Sequence, residues 1–103
     1  MAVVALLDPA ASTAVARRAT KLLRARLGDE LIVVPLAADS DVAAATERAL
    51  ETFHPRAVIA VGSDAMITAI AVALVDMPAA LGIVPTDLPM TRIAAAVLCA
   101  SRR

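Results

Sequence analysis

The sequence contains no tryptophan and no tyrosine, and Phe53 is its one aromatic residue. A core without large rings must be filled by Ala, Val, Leu and Ile, which suits thin Ala-rich helices lying close to a sheet. Cysteine is equally scarce. Cys99 stands alone, so no disulfide can form within the chain, and a reducing cytoplasm is the expected setting. Cys99 sits in an apolar stretch without a neighbouring base, which assigns it to packing. His54 is the single histidine; it precedes Pro55 and has no other His or Cys near it, so it reads as a helix end and not as a metal ligand. No charge of one sign is in excess either, since 10 Lys and Arg balance 10 Asp and Glu. A balanced chain has no net field to draw in nucleic acid or an anionic membrane. The first residues lack a charged n-region and a cleavage site, so no secretory signal is expected.

Hydrophobicity is what the chain has in quantity, at 60% of its 103 residues. An average domain has roughly 45 to 50%. The length suits one compact domain over residues 1–103 with a single core. Charge is unevenly spread. Arg17, Arg18, Lys21, Arg24 and Arg26 are half of the basic residues, whereas residues 57–101 carry only Asp64, Asp76, Asp87 and Arg92. The run 57–75 is about as long as a membrane-spanning helix. Gly62-Ser63-Asp64 divides it into a strand-length piece and a helix-length piece, so no transmembrane segment is expected.

Residues 3–7 form a short continuous apolar run closed by Asp8-Pro9, the pattern of a strand covered on both faces. Ser12 or Thr13 can cap the helix that follows. Its apolar positions Val15, Ala19, Leu22, Leu23 and Leu27 recur at helical spacing, and Gly28 stops it. Residues 31–36 repeat the buried-strand pattern. Asp39-Ser40-Asp41 then opens a helix to about Phe53, closed by His54-Pro55. A third strand at 57–61 leads through Gly62-Ser63-Asp64 into a helix reaching about Val75, and a fourth strand at 80–84 precedes a helix from Met90 or Thr91 to about Ala100. Strand and helix alternate with short connections. That alternation predicts an α/β fold: a three-layer, doubly wound parallel sheet of about four strands, with helices on both faces.

In such a sheet, ligands bind beyond the carboxyl ends of the strands, where neighbouring connections depart in opposite directions. A strand order 2-1-3-4 puts that crevice between Asp8, Ser12 and Thr13 on one side and Gly62, Ser63 and Asp64 on the other. Helix amides and the hydroxyls there are suited to holding a phosphate. Helix capping accounts equally well for Ser12, Thr13 and Asp64.

Three segments, Leu7-Asp8-Pro9-Ala10-Ala11-Ser12, Val61-Gly62-Ser63-Asp64-Ala65-Met66 and Leu81-Gly82-Ile83-Val84-Pro85, together with the order of elements, resemble the N-terminal domain of the diacylglycerol kinase family of lipid kinases. The resemblance covers essentially the whole chain. It implies an N-P-x-S-G-like loop after strand one, G-G-D-G-T after strand three, and G-I/V-I/L-P followed by G-T-x-N-D-x-A-R. Spacing is kept and working residues are lost. Asp8-Pro9 replaces Asn-Pro, and Ser63, Ala65 and Met66 replace two glycines and the Thr of G-G-D-G-T. Asp87-Leu88-Pro89-Met90-Thr91-Arg92-Ile93-Ala94 keeps none of the last motif's polar residues in register.

Side chains at Ser63 and Ala65 restrict the close approach to phosphate that glycine allows. The family's second, β-rich domain, which closes the cleft, has no counterpart in 103 residues. Phosphoryl transfer also needs positioned metal and a base, and Asp64 alone makes a poor Mg²⁺ site. The expectation is therefore a noncatalytic lipid-kinase-like module. Its two C-terminal helices offer almost no polar face, so the apolar C-terminal half should meet another chain, as a homo-oligomer or as a small subunit of a complex. Two alternatives remain: a nucleotide-binding kinase-like enzyme or enzyme half using ATP and Mg²⁺, and a regulatory domain that binds an anionic small molecule.

Overall fold

A computed structural model describes residues 2–10, 13–75 and 77–85. The element order is β1 (Val3–Leu7), α1 (Thr13–Leu27), a 3-10 turn (Gly28–Glu30), β2 (Leu31–Pro35), α2 (Val42–Phe53), β3 (Ala57–Gly62), α3 (Asp64–Ala73) and β4 (Ala80–Pro85). The four strands form one all-parallel sheet in the order β2-β1-β3-β4, and three helices connect them. The α/β architecture and strand order read from the sequence are those of the molecule. The expected helix at 90–100 lies outside the described residues.

Local chemistry explains several helix boundaries. Gly28 has φ 56°, a left-handed conformation that ends α1 without the Cβ penalty another residue would meet. Asp41 caps α2, its carboxylate accepting from the Ala44 amide at 3.2 Å. At the other end His54 is left-handed (φ 45°), and its amide closes back onto the Leu50 carbonyl at 3.0 Å. Pro55 then prevents continuation. The apolar run 57–75 resolves into β3, a turn at Ser63 and α3. No helix among the described residues is long and apolar enough to cross a membrane.

The period of two along β1 and β3 divides the core between the two faces of the sheet. Val3, Ala5, Ile59 and Val61 face α1, packing with its Ala19 and Leu23. Val4, Leu6, Val58 and Ala60 face the other way, against Ala49 of α2 and Met66 and Ile70 of α3. All six residues of β3 are buried, which is why that strand reads as an unbroken apolar run. The one buried polar side chain among the described residues, Thr46, donates its hydroxyl to the Val42 carbonyl one turn back at 2.8 Å. The site at the carboxyl ends of β1 and β3 thus stands on the most completely buried part of the molecule.

Candidate functional site

The chain leaves β1 toward β2 and leaves β3 toward β4, so the connections diverge between the two central strands. This is the switch point of the sheet. Asp8 follows β1 directly, and its amide donates to the Val61 carbonyl at 2.8 Å, extending the β1–β3 ladder by one step. The side chain is thereby held above the end of β3. Its Oδ1 accepts from the Ala10 amide at 2.8 Å, which tightens the turn after β1. Its Oδ2 accepts from the Ser63 amide at 3.2 Å, joining the two sides of the switch point.

Gly62 lies beneath this carboxylate. A Cβ on Gly62 would come within 2.6 Å of Met66 Sδ, 2.8 Å of Asp8 Cβ and 3.0 Å of Asp8 Oδ2. The glycine is extended, as the last residue of β3, so its role here is steric and does not depend on special backbone angles. Ser63 is the N-cap residue of α3, and its side chain makes no capping bond; its own amide donates to Asp8 from across the crevice. Asp64 occupies the first turn of α3 and is exposed, where a negative charge suits the positive helix end.

Of the six residues singled out in the sequence, the structure brings Asp8, Gly62 and Ser63 into one contact group, with Asp64 next to it on α3. Thr13 begins α1, and Ser12 lies outside the described residues. The loop after β2 supplies a third wall that sequence reasoning had given only a helix-opening role. Ser40 and Ala37 line, with Asp8, Pro9, Ser63 and Met66, a cavity of about 240 Å³. Ser40 Oγ accepts from the Ala37 amide at 3.1 Å, which fixes the loop against the crevice. The signal for it was Asp39-Ser40-Asp41 itself, since a polar loop after a parallel strand falls on the ligand-binding end of the sheet.

A larger cavity, about 710 Å³, opens at the amino ends of β3 and β4 among Leu50, His54, Pro55, Met77 and Pro78. Arg56 on its wall is tied to Glu30 at 3.0 Å. That hydrogen bond and the charge of Arg56 hold the Glu30 carboxyl below its usual value. Among the described residues, no three His, Cys, Asp or Glu side chains come together in a way that would hold a metal ion.

No protein-family model matches the chain, and no curated protein or solved structure shows significant similarity to it.

Proposed function

We propose that this chain is a noncatalytic α/β module, a degenerate relative of the nucleotide-binding half of the lipid kinases, that acts in the cytoplasm through assembly with another protein chain. The observation that carries the reading is the apolar exposure along α3, the connection after it and β4. Val72 is 67% exposed, Val75 64%, Met77 46% and Ile83 40%, and this accounts for all but Phe53 of the large apolar side chains exposed among the described residues. An exposed helix ordinarily turns a charged face to water. After Asp64 in its first turn, α3 has no charged residue at all. Exposed large apolar side chains gathered in one part of the chain suit contact with another chain.

The switch point supports the noncatalytic half of the reading. A phosphate held at a helix N-terminus needs free amides and a positive field. Here the Ser63 and Ala10 amides already donate to Asp8, and an approaching phosphate would meet that carboxylate. The adjoining cavity of about 240 Å³ is also smaller than the roughly 300–1,000 Å³ of ordinary small-molecule sites.

Light scattering and sedimentation on the purified chain test the proposal. A dimer or larger assembly at micromolar concentration that Val72→Lys dissociates is the expected result. A monodisperse monomer, unchanged by Val72→Lys and without a co-purifying protein, would remove the reading. The competing enzyme class rests on the crevice lying at the usual ligand end of the sheet. Calorimetry with ATP and Mg²⁺ decides it: binding that Asp64→Ala abolishes would favour a nucleotide-binding enzyme. Mass spectrometry for a retained anionic small molecule tests the regulatory alternative.

A further inference from the structure

The outer face of α1 carries a cluster of exposed cations that neither the core nor the crevice uses. Ala19 and Leu23 anchor the inner face of the helix and are fully buried. Arg17, Arg18, Lys21 and Arg24 are all exposed. At 100° and 1.5 Å per residue they share an arc of roughly 120° over about 10 Å of helix. Solvated helix faces usually interleave the two signs of charge. In α1 there is no acidic residue from Thr13 to Leu27. The nearest acids in sequence, Asp29 and Glu30, lie beyond the helix end, and Glu30 is engaged by Arg56. Among the described residues, none of these four cations is in an ion pair.

Apart from Asp29 and Glu30, acids of this neutral chain are placed away from the α1 face. Glu47 and Glu51 are exposed on α2, which covers the opposite face of the sheet, and Asp8 and Asp64 lie at the carboxyl ends of the strands. Zero net charge therefore conceals a molecule with one cationic side. We propose that the α1 face docks, peripherally and reversibly, onto an anionic lipid surface.

Shape and composition favour a membrane over a nucleic acid. Because its inner face is packed on the sheet, α1 lies flat and does not project as a groove-reading helix must. The single aromatic residue, Phe53, is on α2 in the opposite layer, so nothing on this face stacks on a base. The remaining exposed positions on the arc, Ala14 and Ala25, are small, so the contact is electrostatic adsorption without insertion. This docking does not depend on the assembly proposed above, because α1 lies on the other side of the sheet from α3.

The test is co-sedimentation of the full chain with vesicles of mixed phosphatidylserine and phosphatidylcholine at low salt, against vesicles of phosphatidylcholine alone. Binding to the anionic vesicles only, lost as salt shortens the screening length, is expected. Each cation removed should weaken partition about fivefold, and Arg17→Gln with Lys21→Gln about twenty-five-fold. Both sites are exposed, so folding should be unaffected, which circular dichroism checks. Glu47→Gln with Glu51→Gln, on the opposite layer, should not weaken binding. Three results would each overturn the proposal: no anionic-vesicle binding at low salt, binding indifferent to the Arg17 and Lys21 substitutions, or equal or tighter retention of duplex DNA at the same salt.

Discussion

Gly62→Ala is the sharpest perturbation of the switch point, because a single methyl group is placed where three atoms already stand. Met66 Sδ, at 2.6 Å from the new Cβ, is the far end of a flexible side chain and can swing away. Asp8 Cβ, at 2.8 Å, cannot move cheaply. The Asp8 amide is bonded to Val61 and its carboxylate to the Ala10 and Ser63 amides. Relief therefore requires shifting the end of β1 and loosening the bond that joins the two sides of the crevice. Overpacking in a tight interior costs typically about 1–3 kcal/mol, and each weakened hydrogen bond adds about 1 kcal/mol. We expect a loss of about 3 kcal/mol, or roughly 12–24 °C in Tm for a domain of this size.

Urea denaturation followed by circular dichroism measures the loss, and a double-mutant cycle isolates its cause. Asp8→Gly removes both Asp8 atoms that the new methyl group would strike. In that background Gly62→Ala should cost less than half of what it costs in the parent protein. If Gly62→Ala is within 0.5 kcal/mol of the parent, or equally costly in both backgrounds, the steric account of this site is wrong.

Asp8→Ala should destabilise the chain by about 1–2 kcal/mol, because it strips the Ala10 and Ser63 amides of their acceptor, and Asp8→Asn should recover part of the loss, as read from urea midpoints. Asp41→Ala should cost about 1 kcal/mol and accelerate hydrogen exchange at the Ala44 amide, whose cap it removes. Ile70→Ala, which truncates a fully buried side chain between α3 and the sheet, should cost about 2–5 kcal/mol by thermal or urea denaturation. Glu30, held below its ordinary pKa by the hydrogen bond and charge of Arg56, favours the folded state above its unfolded pKa; that contribution is lost as pH falls through the lower, folded value. An NMR titration of Glu30 should therefore shift to higher pH in Arg56→Gln, and the stability difference between the two proteins should vanish in acid.

Much of the fold was legible because its signals are local. Continuous apolar runs at 3–7 and 57–61 became the two central strands, buried on both sides as such runs require in a parallel sheet between helices. The runs at 31–36 and 80–84 became edge strands that are only partly buried, because each has a neighbour on one side alone among the described residues. Gly28, Asp41 and His54-Pro55 mark helix ends by backbone chemistry that needs no distant partner. The crevice was legible only as a place. Asp8 and Ser63 are 55 residues apart in sequence, and nothing in either segment says that the carboxylate of one caps the amide of the other. Capping and phosphate binding draw on the same residue types, so composition leaves the choice between them open.

Sequence by itself determined the element order, the parallel sheet and the cationic character of α1, because periodicity, caps and charge are properties of neighbouring residues. Tertiary structure decided what those features face. It set Asp8 over Gly62, brought the loop carrying Ser40 to the crevice, left Val72 and Ile83 in solvent, and put Glu47 and Glu51 in the layer opposite Arg17 and Lys21. The physical reason is that hydrogen-bond partners, steric contacts and charge separation depend on distances through space, and those exist only once the strands have taken their places in the sheet.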